Sequence, residues 1–198
     1  MTAEQLGTLG LAAGVSVASG IRVYATIAVL GLLDRLDVLA LPPALEPLSH
    51  PAIIAIATAL YVAEFVADKV PAFDSVWDAI HTFIRVPAAA VLAFAMLGDV
   101  AEPWRSAAAL LGGTVALSAH GLKAGTRLAA NTSPEPFSNW LLSFGEDFAV
   151  AGILWMATHH PLLSLLVAVS VVLAAVLSLR WVLWTLRRLL RRQPVAGT

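Results

Sequence analysis

Residues 161–186 read PLLSLLVAVSVVLAAVLSLRWVLWTL, and the part before Arg180 carries no charged side chain. A helix needs about 20 mostly apolar residues to cross the hydrocarbon core of a bilayer. The stretch is long enough for that crossing, so it predicts a transmembrane helix. It decides the fold class, because a chain with such a helix is solvated at least partly by lipid.

The rest of the chain has the composition of a membrane protein as well. Of its 198 residues, 59% are hydrophobic and 13% are charged, and the mean hydropathy is +0.83. Soluble domains carry roughly 25% charged residues. The charged side chains are too few to coat a water-soluble particle. We predict one integral membrane domain over residues 1–198, with the lipid bilayer as a partner.

Six apolar stretches are separated by proline-rich or acidic connections, which predicts an all-α polytopic bundle of about six transmembrane helices. The predicted helices cover about 6–33, 51–68, 74–97, 103–130, 138–158 and 161–186. The first stretch is long enough to tilt or break. Two half-helices in its place are an open alternative, which would change the orientation of the chain.

Several function classes are excluded by composition and motif content. The formal net charge of −1 argues against a nucleic-acid partner, because phosphate binding needs a concentrated basic surface. The absence of cysteine excludes thiolate metal sites and thiol catalysis. The sequence contains no hydrolase or metalloprotease motif and no phosphate-binding loop. We therefore expect no catalytic residue, no metal and no cofactor.

The basic residues predict the orientation. Arg187, Arg188, Arg191 and Arg192 form the densest positive cluster in the chain, and such clusters stay in the cytoplasm. We expect residues 187–198 to form a basic cytoplasmic tail. With six spans the N-terminus would be cytoplasmic too.

Two short self-matches suggest an internal repeat. Residues 67–77 align without gaps with 130–140, and Glu64 then aligns with Arg127. Residues 20–22 also match 125–127, which relates the first helix to the fourth in the opposite direction. Inverted repeats are common in transporters. The matches imply different symmetries, so parallel and inverted repeats are both open.

The charged residues inside the predicted helices are the main functional clue, because the bilayer makes them costly. From helix rise, we place Arg22, Glu146, Asp147 and His120 near the midplane, and we predict that they line a solute or proton path. A vestibule or gate on the cytoplasmic side is predicted from Glu64, Asp68, Lys69, Lys123, Arg127 and Asn131. A further polar stripe on the third helix contains Asp74, Asp78, His81 and Arg85.

Three blocks of the sequence carry a family resemblance. They are residues 18–22 (ASGIR), 68–81 (DKVPAFDSVWDAIH) and 123–136 (KAGTRLAANTSPEP). With these blocks the chain resembles a bacterial membrane-protein family known only as domain of unknown function 4126, over about residues 18–150. The resemblance implies a small multi-spanning protein of the bacterial inner membrane, and it brings no activity or substrate.

The preferred functional hypothesis is a transporter or channel for a small solute or ion, with a charged site at the midplane. The alternative is a non-catalytic scaffold or partner subunit in which the charges are structural ion pairs. An intramembrane enzyme acting on lipid is a third alternative. The expected partners are the bilayer, an unidentified small solute or ion, and candidate further copies of the chain.

Overall fold

The computed structural model describes residues 2–98, 100–132 and 137–190. Within these ranges the chain forms seven helices and no strand, which confirms the predicted all-α fold. The helices are α1 (Ala3–Arg35), a short 3-10 helix (Pro43–Ser49), α2 (Pro51–Ala67), α3 (Pro71–Met96), α4 (Glu102–Ala130), α5 (Phe137–His159) and α6 (Pro161–Leu190). Arg191 and Arg192 of the predicted tail lie outside the described residues.

Among the described residues, α1, α3, α5 and α6 are long and apolar enough to cross a membrane. The 3-10 helix and α2 meet at a bend of 68° and make a fifth candidate when taken together. The remaining predicted stretch, 103–130, corresponds to α4, whose inner face carries His120, Lys123 and Arg127. The predicted membrane helix bundle is confirmed, with a span count close to the predicted six.

Helix α1 is the centre of the bundle and is broken at Arg22. The backbone of Arg22 has φ −146° and ψ 89°, an extended conformation between two helical halves. In the N-terminal half, Gly10 packs directly on the backbone of Pro161, and Gly14 packs on Ala157. In the C-terminal half, Gly31 packs on the backbone of Leu48. These close approaches leave no room for a side chain at Gly10 or Gly31.

Both halves of α1 run from Arg22 toward the same end of the bundle. Helix α3 passes the break, where Nε2 of His81 lies 3.1 Å from the hydroxyl of Tyr24. Farther along α3, Ala93 shares a contact at Gly112 with Ser16 of the N-terminal half. The end of α3 also meets the connection that follows the C-terminal half, because Gly98 packs near Pro42. The two half-helices considered from the sequence are therefore present, and they form a V with Arg22 at its apex.

The α2–α3 and α4–α5 connections lie at the apex end of the bundle. Asn131 begins the second connection, and its side-chain amide donates a hydrogen bond of 3.1 Å to Asp74 at the start of α3. The two helix pairs therefore point the same way, as a parallel repeat requires. Helix α6 starts at the opposite end, next to Gly10, and runs to the apex end, where Trp181 and Trp184 are exposed.

Candidate functional site

Ten charged side chains from α1 to α5 meet at the apex of the V, and we call them the charge cluster. Its cations are Arg22, Arg85, Lys123 and Arg127, and its anions are Glu64, Asp68, Asp74, Asp78, Glu146 and Asp147. Most of the residues predicted for the path and for the vestibule thus lie together in one cluster.

Arg22 is at the centre of the charge cluster. Its Nη2 atom lies 2.7 Å from Oδ2 of Asp68 and 3.2 Å from Oε2 of Glu146. Its Nε atom lies 2.6 Å from Oδ1 of Asp147. Non-helical backbone at membrane depth is tolerated where it is buried in protein or lines a cavity. The break at Arg22 meets that condition, because the residue is 0% exposed.

A second group of contacts joins α2, α3 and α4. Oε1 of Glu64 accepts a hydrogen bond from Nη2 of Arg85 and lies 3.3 Å from Nζ of Lys123. Oδ1 of Asp78 accepts a bond of 2.8 Å from Nη1 of Arg85. Two carboxylates and two cations therefore compensate one another inside the bundle.

Arg127 joins α4 to α5 and to the α2–α3 connection. Its Nε and Nη2 atoms bond the two oxygens of Glu146 at 2.8 and 2.9 Å, which is the bidentate arrangement that makes arginine–carboxylate pairs strong. It also donates to the carboxylate and to the backbone carbonyl of Asp68, both at 3.0 Å. Arg127 therefore ties three elements together.

His120 borders the charge cluster and has a defined tautomer. Its Nδ1 atom lies 2.6 Å from Nη1 of Arg85, and a guanidinium nitrogen only donates. Nδ1 therefore accepts, so the ring proton is on Nε2, which donates to Oγ1 of Thr82 at 2.7 Å. A second proton on Nδ1 would face the Arg85 donor. His120 is thus held neutral here, which does not favour the predicted role as a proton carrier.

His81, on the other side of α3, carries a hydrogen on Nδ1, which lies 2.7 Å from the carbonyl oxygen of Trp77 and donates to it. Its Nε2 atom lies 3.1 Å from the hydroxyl of Tyr24. The second contact joins α3 to α1 beside the break.

Lys69 was predicted in the vestibule and lies beside the charge cluster, facing aromatic rings. Its ammonium is 3.0 Å from the ring centre of Phe65 and 5.1 Å from that of Trp140, and it donates to the carbonyl of Phe65. Burial lowers the pKa of this ammonium, which lies outside the spanning helices. Lys69 therefore attaches the α2–α3 connection to α5 through cation–π contacts.

Asn131, the last of the predicted vestibule residues, is at the edge of the cluster. It bonds Asp74, and its carbonyl oxygen accepts a bond of 2.7 Å from the amide of Asn139.

Five members of the site were not assigned to the path or vestibule. They are Asp74, Asp78 and Arg85 of the cluster and the neighbouring Asn139 and Ser143. The spacing of Asn139, Ser143 and Glu146 on one face of α5 was the signal that could have found the last two.

Two lateral clefts reach the charge cluster on opposite sides of α5. One, of about 330 Å³, runs between the C-terminal half of α1, α2 and α5 and ends at Tyr61 and Asp147. The other, of about 360 Å³, lies among α1, α4, α5 and α6 and includes Lys123 and Glu146. Both are otherwise lined mainly by apolar side chains. Within the described residues no group of histidines and carboxylates could hold a metal ion.

These features define a class: a polytopic helical membrane protein with buried compensating charges around a broken helix. The model of a family described as "Domain of unknown function (DUF4126)" matches residues 9–181. The chain belongs to this family, as its sequence blocks suggested, and the match includes the whole charge cluster. None of the curated proteins and none of the solved structures matches the chain.

Proposed function

We propose that this protein is a small transporter or channel, and that the charge cluster binds the solute or ion that it moves. The observation that carries this proposal is the break of α1 at Arg22, inside a ring of carboxylates from three other elements. Broken helices that place charged groups inside the bilayer are the usual construction of transporter binding sites. Ionisable side chains inside the bilayer cost free energy, so where they occur they usually mark ion or substrate paths.

The two clefts support a path for the solute. Glu146 and Asp147 are neighbours on α5, yet each faces a different cleft. Arg22 contacts both carboxylates and therefore stands between the clefts. A change in its pairing from one carboxylate to the other would connect the cluster to one cleft at a time. Glu64, Asp68, Lys69, Lys123, Arg127 and Asn131 would form the vestibule at the apex end.

For orientation, we propose a bacterial inner-membrane protein with its apex end in the cytoplasm. The described arginines near the end of α6, Arg187 and Arg188, support this by the positive-inside rule. Because both halves of α1 run away from the apex, the N-terminus would then be on the opposite side, which replaces the cytoplasmic N-terminus expected from six spans. The chain contains no cysteine. A single Thr2→Cys variant should therefore react with an impermeant maleimide on intact cells, and Thr132→Cys only after permeabilisation.

The alternative, a scaffold with structural ion pairs, is favoured by one observation. Every cation of the cluster contacts at least two carboxylates. Such saturation is also what a purely structural network needs, because a half-satisfied one is unstable. A protein of this kind would carry no solute.

Electrical recording from proteoliposomes distinguishes the two. Concentration jumps of Na⁺, K⁺, Cl⁻ and protons are applied to vesicles of the full chain on a solid support. A transporter or channel for one of these ions gives a current that needs the protein. The double variant Arg22→Gln/Asp147→Asn removes the guanidinium that stands between the clefts together with its carboxylate partner, and it should lose the current.

The matched control is Arg105→Gln. Arg105 is an arginine of α4 at the opposite end, where it packs on Phe94 at 4.1 Å, and its replacement should leave the current unchanged. Absence of current from the wild-type chain with all four ions would contradict ion transport and favour the scaffold.

A further inference from the structure

We propose that the charge cluster binds two protons, on Asp147 and Asp74, and that the proton is the ion moved or coupled in transport. The second half of this statement rests on the proposed function, whereas the first half stands on the cluster alone. Binding converts a carboxylate and a proton into a neutral carboxylic acid, so no other reactant is needed.

The first argument is the balance of charge. Among the described residues of the cluster, six carboxylates face four cations, and the neighbouring His120 is neutral by its hydrogen bonds. With all carboxylates ionised the cluster would carry two uncompensated negative charges. Uncompensated charge in a buried site is so costly that the group takes up a proton instead. Two protons restore neutrality.

The second argument is the distribution of partners. Glu64, Asp68, Asp78 and Glu146 each lie within ion-pair distance of two or three cations. Asp74 and Asp147 each lie within ion-pair distance of one cation among the described residues. The number of these least compensated carboxylates, two, equals the number of uncompensated negative charges. We therefore assign the two protons to Asp74 and Asp147.

Asp147 is the carboxylate at the cleft. It faces Arg22 of α1, the phenol of Tyr61 on α2 and Glu146 of its own helix, with Asp68 behind Arg22. The ammonium of Lys69 in the α2–α3 connection also acts on it electrostatically. Its side chain is 22% exposed, toward the cleft that Tyr61 also lines. A proton entering this cleft meets Asp147 first.

Asp74 is the carboxylate at the apex end. It faces Arg127 and Asn131 of α4, Asp78 one turn along α3, and Asp68 of the α2–α3 connection. Its Oδ1 atom is buried, 3.7 Å from Nη1 of Arg127, and accepts no hydrogen bond. With one cation at 3.7 Å, the negative charge of Asp74 is less compensated than that of the carboxylates that hold two or three cations.

A continuous line of ion pairs connects the two sites. From Asp147 it passes through Arg22, Asp68 and Arg127 to Asp74, with successive distances of 2.6, 2.7, 3.0 and 3.7 Å. When the carboxylate at one end loses its proton, its ion pair with the neighbouring arginine becomes stronger. The ion pair of that arginine with Asp68 then becomes weaker. The occupancy of the two sites is coupled through this line.

A proton fits the site better than a metal cation. The carboxylates are already engaged by guanidinium and ammonium groups, and no metal-binding group of histidine and carboxylate residues occurs in the described ranges. Ca²⁺ and Mg²⁺ need six or more oxygen ligands. A proton needs one oxygen.

Infrared spectroscopy of the full chain in lipid bilayers at neutral pH tests the assignment. A protonated carboxylic acid has a C=O stretching band that ionised carboxylates lack. The wild-type chain should show this band, Asp147→Asn and Asp74→Asn should each remove one of its two components, and the double variant should lack it. Glu46→Gln, at an exposed carboxylate of the 3-10 helix, is the control and should leave the band unchanged.

Thermal unfolding of the same variants gives a second test. Asparagine resembles the neutral acid, so the unfolding midpoints of Asp147→Asn and Asp74→Asn should stay at the wild-type value. Asp68→Asn removes a carboxylate that holds three cations and should lower the midpoint. Absence of the infrared band in the wild-type chain, or equal loss of stability in all three variants, overturns the proposal. A band without proton current would contradict the proposed transport and leave proton binding intact.

Discussion

The two ends of this bundle are built from the same helices by different means. At the apex end, charged side chains meet in the charge cluster. The sign of each charge and the direction of each hydrogen bond determine there which helix faces pack together. At the opposite end, Leu30, Leu92, Met96 and Leu154 pack together, and Gly10 lets α1 lie on the backbone of Pro161. Helix association in lipid relies on such close van der Waals packing. The comparison teaches that one end is held by close packing of apolar side chains and backbone, whereas at the other end single charged groups each contact several partners.

The largest effect is expected from Arg22→Leu. This change leaves Asp68, Glu146 and Asp147 without their common cation, and breaking a buried ion pair costs about 3–5 kcal/mol. We expect the yield of monodisperse protein to collapse, as measured by fluorescence-detected gel filtration. Arg105→Leu at the opposite end should keep most of the yield, and similar losses for both variants would erase the distinction between the two ends.

A smaller effect is expected from Gly10→Leu at the opposite end. A Cβ there would lie 2.1 Å from the carbonyl oxygen of Pro161, and overpacking a close contact costs roughly 1–3 kcal/mol. The stability to denaturant in detergent should fall. Gly121→Leu provides the control, because no heavy atom lies within 4 Å of a Cβ at that position. If both variants lose the same stability, packing at this end is looser than the contacts indicate.

The smallest effect is expected from Lys69→Met. The change removes cation–π contacts with Phe65 and Trp140, which are worth about 0.5–2 kcal/mol, but it keeps an apolar stem against the rings. A small decrease in the unfolding midpoint should result. Arg105→Met removes the similar contact with Phe94 at the other end, so the pair of measurements compares the ends with the chemistry held constant. A large loss for Lys69→Met would mean that this lysine belongs to the charge cluster.

Much of the fold could be predicted because lipid imposes simple rules on length and composition. The six stretches match the described helices, and the helical spacing of His120, Lys123 and Arg127 put them on one face. The sequence did not decide whether the first stretch breaks, because the break at Arg22 depends on carboxylates that come from other helices. Likewise, the contact of Lys69 with Phe65 could be predicted, because the two residues are one helical turn apart. The contact with Trp140 could not, because it arises from the packing of α5 against the α2–α3 connection.

The individual pairs of the site could not be predicted for the same reason. Spacing shows which residues share a helix face, but it does not show which faces meet or at what height. Asp74 and Asp78 are one turn apart on α3, yet Asp74 meets Arg127 of α4 and Asp78 meets Lys123 of α4. Which residue of α4 each one meets depends on the relative positions of the two helices.

The V of α1 has a consequence for how the chain is assembled during synthesis. Arg22 leaves the ribosome long before Glu146 and Asp147, its partners on α5. Glu64 and Asp68, its partners at the end of α2, come earlier, but the set of carboxylates around this intramembrane charge is complete only when α5 is inserted. The first helix to be made is therefore among the last to reach its final position, and it must wait at the membrane surface, in the translocation machinery or with a temporary partner.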